Sequence, residues 1–354
     1  MARIAFVLPV RGGSGGAHSV VQEVTALRAL GVEARVLVNR ANAAQFAAAY
    51  DRFDWVADGG MGVFDGPKDL AVQAAEAEVV IGTTNTSVHS INEALQTMRN
   101  PTLRTGYYVQ DYEPLFYAAG TSEHRLAVAS FALLPNCVYF AKTSWLTGIV
   151  HAAHGLDAVR VVPSIDHGLY RPAPRAPGRR VVAAMVRPAT PRRAPRRTLR
   201  LMARLAEGEF GDVEVVGFGA DAEEMEQSGL AVPHRVRMLG RLRQQDVAAL
   251  LRAADVFLDL SDYQAFGRTA AEAMACGCIA LAPRLGGAGD FIEDGVSGFL
   301  VDTTDTDAVS AALRSILSLS EAELRGMRYA GLEAVSGFTP VRAAMSEMRA
   351  LGLA

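Results

Sequence analysis

Gln264 and Glu272 stand eight residues apart on either side of a turn whose residue types suit an anionic or hydroxyl-rich ligand. The run 255–260 is apolar and enters Ser261-Asp262, the pattern of a buried parallel strand reaching a loop. Helix formers occupy Thr269 to Met274, and Gly277 marks their end. A strand, a tight loop and a helix leave the amides of Ala265 to Arg268 without intrahelical partners, aimed outward from a positive helix end. Such a turn at the carboxyl end of a strand binds anions and hydroxyls. The plainer reading is an ordinary strand–helix junction with a solvated Gln and Glu.

Three other groups carry comparable signals. Arg187 and Arg192 follow an apolar run at 181–186, where ligands bind in open sheets, and two guanidinium groups there suit a diphosphate. Arg196, Arg197 and Arg200 fall on the following helix, where a solvated face is expected. Gly15 and Gly16 close a glycine-rich first turn, with His18 just beyond, and suit close backbone approach to an anionic or sugar ligand. Asp111 directly follows a strand at 104–109. The first turn argues against a dinucleotide fold, because the spacing is not GxGxxG and the second strand ends in Val38-Asn39-Arg40 with no acid to hold a ribose. Asp305-Thr306-Asp307 imitates a metal motif but precedes a helical run, so helix capping accounts for it.

The elements that must position these groups alternate between strand and helix. Strands are expected at 3–10, 33–39, 79–82, 104–109, 137–141 and 159–162, then at 181–186, 213–217, 235–239, 255–260, 278–282 and 298–301. Helices fall between them, notably at 19–30 and 122–133 and from Ser144, with tail helices at 305–318, 321–335 and 340–350. Residues 40–75 carry no clear pattern. Residues 170–180 are rich in Pro and Arg and read as a linker. The fold class is α/β, with two doubly wound Rossmann-like domains: 1–168, a linker at 169–179, 180–336, and a last helix in 337–354. With 354 residues, half of them hydrophobic, the chain fills two cores. A net charge of −3 gives no global signal for nucleic acid or membrane. Cys137, Cys276 and Cys278 fit neither a disulfide framework nor a zinc site and suit a reducing cytoplasm. The N-terminal apolar run reads as a first strand and not as a signal peptide.

The segment from Gln264-Ala265-Phe266-Gly267 through Glu272-Ala273-Met274-Ala275-Cys276-Gly277, then Leu285-Gly286-Gly287 and Glu293 to Val301, resembles the C-terminal signature of glycosyltransferase family 4. Gly15-Gly16, Pro163-Ser164-Ile165-Asp166, Arg187, Arg192 and Ser336-Gly337-Phe338-Thr339 fall where that family has matching features. The resemblance implies a GT-B architecture with an interdomain cleft. It also implies retaining, metal-independent hexosyl transfer with no cofactor, from a nucleotide diphosphate sugar donor to a glycan or lipid-linked hydroxyl acceptor. Residues 108–117 and 187–192 are further similar to bacterial rhamnosyltransferases that build surface polysaccharides, which implies dTDP-L-rhamnose as donor. The family's Glu-x7-Glu pair is Gln264-x7-Glu272 here, which keeps a hydrogen-bonding side chain and loses a charge.

Carried over by position, the resemblance implies donor contacts from Gly15, Gly16, Gln264, Ala265, Phe266, Gly267 and Thr269, with Glu272 accepting from the ribose hydroxyls. Base contacts come from Leu239, Gly240 and Arg241. Arg187 and Arg192 act catalytically by neutralising the diphosphate as the glycosidic bond breaks. Asp111 orients or deprotonates the acceptor hydroxyl, with Tyr112, Glu113 and His18 beside it. Asp111 equally reads as a loop-capping acid and His18 as a plain first-turn histidine. No protein nucleophile is assigned. Peripheral attachment to the cytoplasmic side of an inner membrane follows by analogy. Three competing readings are a nucleotide-sugar 2-epimerase, a non-catalytic sugar-nucleotide-binding relative, and a nucleic-acid-binding protein resting on the arginine cluster alone.

Overall fold

Runs of β-branched and aromatic residues, bounded by glycine and proline, assemble into two all-parallel sheets in the computed structural model, which describes residues 2–98, 100, 102–175 and 178–354. The chain divides into two units, Met1–Ile165 with Phe338–Ala354, and Asp166–Gly337. In the first unit the strands are β1 (Arg3–Val7), β2 (Glu33–Asn39), β3 (Met61–Phe64), β4 (Val79–Gly82), β5 (Arg104–Val109), β6 (Val138–Ala141) and β7 (Ala158–Arg160). Helices α1 (Gly15–Ala29), α2 (Arg40–Ala49), α3 (Pro67–Gln73), α4 (Asn85–Leu95), α5 (Ser122–Ala129) and α6 (Ser144–His154) alternate with them. The sheet order is β3-β2-β1-β4-β5-β6-β7, so the direction of winding reverses between β1 and β4.

The second unit repeats the plan. Its strands are β8 (Arg180–Met185), β9 (Val213–Phe218), β10 (Arg237–Met238), β11 (Val256–Leu258), β12 (Ile279–Pro283) and β13 (Phe299–Val301), in the order β10-β9-β8-β11-β12-β13. The helices are α7 (Pro195–Ala206), α8 (Ala222–Gln227), α9 (Gln244–Ala253), α10 (Arg268–Ala275), α11 (Thr306–Ser318) and α12 (Glu321–Ser336). Here the reversal falls between β8 and β11. Ligands in doubly wound sheets sit beyond the strand ends at such a reversal. In this unit that position belongs to the loops following Met185 and Leu258, which carry Arg187, Arg192 and Gln264. Asp305 accepts hydrogen bonds from the amides of Asp307 at 2.9 Å and Ala308 at 3.0 Å, and so caps α11.

Several elements depart from the expected bounds. Residues 40–75, patternless in sequence, form α2, β3 and α3; the four-residue β3 is an edge strand, too short to show an alternation. The strand expected at 235–239 shrinks to Arg237–Met238 at the opposite edge of the second sheet. Helix α1 starts at Gly15 and not at Ser19, because Ser14 caps it by accepting from the Ala17 amide at 3.3 Å. The segment 169–179, expected as a linker, packs onto the second unit as far as it is described; Ala176 and Pro177 lie outside the described residues. Tyr170 is buried, and Arg175 donates to the carbonyls of Arg252 at 3.0 Å and Gly277 at 2.8 Å.

The last helix, α13 (Pro340–Ala350), belongs to the first unit and packs along α1, with Ala344 and Leu351 in one apolar cluster with Val20, Val24 and Leu27. At its centre is a buried ionic group. Glu23 Oε1 is 3.2 Å from Lys142 Nζ and accepts from the hydroxyls of Ser164 at 2.8 Å and Tyr108 at 3.2 Å. Glu347 of α13 is fully buried against Glu23. Two carboxyls facing one ammonium cannot both ionise at low cost. Burial, followed by the neighbouring Glu23 charge, pushes the Glu347 carboxyl well above the usual carboxylate range. An unfolded glutamate titrates near ~4.3. The stability held by protonated Glu347 is therefore complete below that value and declines as pH rises toward the raised native value. Glu347→Gln keeps the shape and the neutral state, so its melting temperature relative to wild type should increase as pH rises above about 4.3 toward the raised native value. Thermal melts over a series of pH values check this; a difference independent of pH would refute the protonated state.

Candidate functional site

In the second unit the loop after β8 and the loop after β11 are tied together. The Asp262 amide donates to the Arg192 carbonyl at 2.8 Å, and the Arg192 guanidinium lies 5.7 Å from the centre of the Tyr263 ring. Arg197, expected on a solvated face, reaches from α7 and clamps the second loop. Its Nε and Nη2 donate to the Leu260 carbonyl at 3.1 and 2.8 Å, and Nη2 meets Asp262 Oδ1 at 2.5 Å. Nothing in the helical spacing distinguishes Arg197 from its neighbours, which is why the sequence does not single it out.

Arg187 lies on the first loop, beyond the end of β8. Burial lowers its guanidinium below the usual arginine range, and the positive neighbours Arg193, Arg241 and Arg192 push the same way, with Glu224 opposing them. The side chain is nevertheless exposed, so a ligand can reach it. A concentration of guanidinium charge of this kind is completed by an anion with several oxygens. Leu239, Gly240 and Arg241 follow β10 one strand beyond β9. The Arg241 guanidinium is engaged by Glu224, including Nε to Oε2 at 2.8 Å, and its amide donates to Asp221 Oδ1 at 2.9 Å. That pairing holds the Glu224 carboxyl down at about 2. The Arg241 side chain is thus directed to partners within its own unit.

The turn from Gln264 to Glu272 has the expected strand–loop–helix form. Gly267 caps α10 with φ of +90°, a left-handed conformation that favours glycine, and no side chain caps the helix. The first amides of α10, with Thr269 among them, thus lack intrahelical partners. Phe266 packs on Phe291 with ring centres 5.3 Å apart, and Ala265 is buried. Gly286 answers Gln264 across the next loop: its φ is +116°, and an added Cβ would lie 2.0 Å from the Gln264 carbonyl oxygen. Only glycine permits that approach. Gln264 itself is buried, and its amide nitrogen donates to Asp259 Oδ2 and, at 3.1 Å, to Ser261 Oγ.

Glu272 is also buried. It pairs with Arg268 one turn earlier at 3.3 Å, and the Tyr170 hydroxyl bonds to it. Burial raises its carboxyl to about 7, and Arg268 and Tyr170 only partly oppose the rise. Tyr170 escaped the sequence reading because it lies in the Pro- and Arg-rich run. A carboxyl raised to about 7 gains charge as pH rises through that value, and the ionised form accepts hydroxyl hydrogen bonds on both oxygens. If Glu272 receives the donor ribose, the donor KM should fall as pH rises through about 7. Glu272→Gln should flatten that dependence, and initial rates at several donor concentrations across the range measure it.

In the first unit Gly12 and Gly13 turn the chain with φ of +84° and +73°. Gly15 and Gly16 instead lie in the first turn of α1 with ordinary helical geometry. A Cβ on Gly16 would meet only the Gln110 side-chain amide, at 2.8 Å, and that group can move. Glycine costs a helix about 0.5–1 kcal/mol relative to alanine, and here the fold does not demand it. Close approach of a ligand to the backbone is the use expected of it. Gly16→Ala should therefore leave the melting temperature unchanged or raise it slightly, yet reduce turnover; parallel loss of both would return Gly16 to a structural role. His18 Nδ1 lies 2.9 Å from the Tyr50 hydroxyl, which also accepts from the Gly13 amide at 3.2 Å, so His18 buttresses the turn.

The acceptor-side expectations change most. Asp111, at the end of β5, is partly exposed, and its Oδ1 accepts from the Tyr112 amide at 2.9 Å, the bond of a loop-capping acid. Tyr112 is not positioned as an acceptor contact. Its ring is buried against Phe131, and its hydroxyl is 3.0 Å from His154 Nε2. Glu113 is likewise committed, because its Oε2 accepts from the amide of Asn85 at 2.6 Å and from the Asn85 side chain at the positive end of α4. Both residues fix the loop that carries Asp111.

Residues 168–331 match the family Glycosyl transferases group 1. The chain is 34% identical over 181 residues to a D-inositol 3-phosphate glycosyltransferase of Saccharomonospora viridis, an alignment spanning 45% of this chain and 42% of that protein. It is 30% identical over 254 residues to the D-inositol 3-phosphate glycosyltransferase of Mycolicibacterium gilvum, spanning 65% and 53%. The matched lengths thus amount to about half of these relatives. Among solved structures, Anabaena HepE in complex with UDP and glucose superposes with a TM-score of 0.77 at 17% identity, covering 99% of this chain and 100% of that one. Sucrose-phosphate synthase of Thermosynechococcus elongatus gives 0.75 at 17% identity, covering 99% and 98%. Together these likenesses establish the fold as that of the GT-B glycosyltransferases, with the group 1 signature on residues 168–331.

Proposed function

We propose that this chain is a glycosyltransferase that moves a sugar from a nucleoside diphosphate donor to a hydroxyl acceptor. The observation that carries the reading is the guanidinium charge of Arg187, Arg192 and Arg193 on the loop after β8, which the Asp262 amide ties to the loop leading into α10, at the reversal of the second sheet. The match of residues 168–331 to the group 1 family and the likeness to a HepE structure holding UDP support it.

In this reading Arg187 and Arg192 hold the diphosphate and stabilise the charge that grows on it as the glycosidic bond breaks. Gln264, with the amides of Ala265 to Gly267 and Thr269, holds the sugar, and Glu272 holds the ribose. Asp111 orients or deprotonates the acceptor hydroxyl. Transfer proceeds with retention and without a metal, because the guanidinium groups and the helix end take over charge stabilisation. The finer donor assignment, dTDP-L-rhamnose, rests on residues 108–117 and 187–192; the curated relatives are inositol phosphate glycosyltransferases, so the donor is the part to be measured. A glycan or lipid-linked acceptor is proposed by the same analogy. No helix among the described residues is long and apolar enough to cross a membrane, and attachment to a membrane surface is proposed by analogy alone.

Release of nucleoside diphosphate, followed across a panel of UDP-, dTDP-, GDP- and ADP-sugars without metal, tests the proposal and identifies the donor. Arg187→Ala should lower turnover at least tenfold, about 1.4 kcal/mol in barrier height. No release from any sugar, or wild-type turnover in the variant, would refute it. Conversion of donor to an epimer would favour an epimerase.

A further inference from the structure

The glutamine at 264, where the family it resembles has glutamate, has a physical explanation in Asp259. Asp259 lies one residue beyond β11, inside an otherwise apolar run. Its Oδ1 accepts from the Ser261 amide at 3.0 Å and the Ser261 hydroxyl at 2.5 Å, and its Oδ2 accepts from Gln264 Nε2. Gln264 Nε2 gives its second hydrogen to Ser261 Oγ at 3.1 Å. A carboxylate only accepts, so the amide can face Asp259 only with its nitrogen. The Gln264 carboxamide is therefore locked in one orientation with both N–H groups engaged. Its Oε1 receives no hydrogen bond from the described residues and is not among the sealed, unpartnered polar atoms. What Gln264 offers a ligand is an acceptor oxygen.

A glutamate at 264 would place two carboxylates side by side in a buried loop, and one would have to take a proton. The negative charge that the resemblance expects at 264 is thus located at 259, one hydrogen bond further back. Hydrogen bonds in series polarise one another, so a carboxylate behind the amide makes its oxygen a better acceptor. Building on the nucleotide-sugar reading, we propose that Asp259 is a positioning residue: it orients and polarises Gln264 so that Oε1 accepts a hydrogen bond from a hydroxyl of the donor sugar. Asp259 and Gln264 together then select donors that carry a hydroxyl at that point.

Three variants test the pair: Asp259→Asn, Gln264→Glu, and the exchange Asp259→Asn with Gln264→Glu. Initial rates of nucleoside diphosphate release are measured with the donor that wild type turns over. Asp259→Asn should raise the donor KM about fivefold or more and change kcat less, since one charged hydrogen bond is weakened. Gln264→Glu should be impaired most at high pH, where both carboxyls ionise, and recover as pH falls. The exchange restores one carboxylate facing one amide and should recover a donor KM within about threefold of wild type, with a flat pH profile. A donor KM in Asp259→Asn within about twofold of wild type would overturn the proposal, as would an exchange variant no better than Gln264→Glu. If Asp259→Asn fails to fold, the comparison of Gln264→Glu with the exchange still decides. Failure of wild type to release nucleoside diphosphate from any sugar would instead overturn the functional reading, and this proposal with it.

Discussion

Arg197 is the clamp on which the second unit's site depends. An all-parallel sheet covered by helices exposes little besides its strand ends, so the binding chemistry must be built from loops, the least constrained parts of the chain. A loop positions a guanidinium or an amide oxygen usefully only if something rigid holds it. Arg197 does this from the first turns of α7, binding the Leu260 carbonyl and Asp262, while the Asp262 amide holds the Arg192 carbonyl. Thr303, from beyond β13, closes the same loop by donating to the Ser261 carbonyl at 2.7 Å. The loops that carry Arg192 and Gln264 are thus fixed to each other through groups that need never touch a ligand.

The first unit applies the same principle with buried charge. Glu23, Lys142 and Glu347 bring together α1, the end of β6 and α13, elements far apart in sequence. Buried ion pairs contribute little net stability but penalise every arrangement that leaves one member unpartnered. Their effect here is to specify where α13 docks. The apolar face of α13 alone could slide along α1 by a helical turn at modest cost, whereas displacing Glu347 from Glu23 would leave a buried carboxyl without its neighbour.

The fold class was legible because strand runs such as 33–39 and 104–109 span several residues rich in β-branched or aromatic side chains, Val79-Val80-Ile81 is continuously apolar, and all three strands have the bounds read from the sequence. The edge strands were not: β3 and β10 span four and two residues, too few to carry a period. At the site, residues recognised by position alone divide by physics. Arg187 and Gln264 occupy loops beyond strand ends at the reversal of the sheet, and their spacing conveyed that. Tyr112 and Glu113 were drawn in by adjacency to Asp111, yet one is turned into an aromatic cluster and the other onto a helix end. Adjacency in a loop says little about where side chains point. Asp259 left a readable signal, a carboxylate amid Val256-Phe257-Leu258 and Leu260, which requires a buried partner. The identity of that partner is a tertiary fact.

The confinement of the family match to residues 168–331 follows from the chemistry each unit is proposed to do. A diphosphate presents the same oxygens whatever sugar it carries, and its recognition needs guanidinium groups, uncapped amides and glycines such as Gly267 and Gly286 whose backbone geometry other residues cannot adopt. Those demands act on identities at fixed spacing, which is what sequence comparison detects. The first unit faces weaker demands of this kind. A hydroxyl acceptor can be oriented by almost any carboxylate at a strand end, and the loop holding Asp111 is braced by Tyr112–His154 and Glu113–Asn85, pairs replaceable by others of similar shape. Its fold is set by hydrophobic pattern, which tolerates wide substitution while volume and periodicity are kept. Likeness of fold over the whole chain, with the family match on residues 168–331, is therefore the outcome expected if the second unit does the proposed donor chemistry.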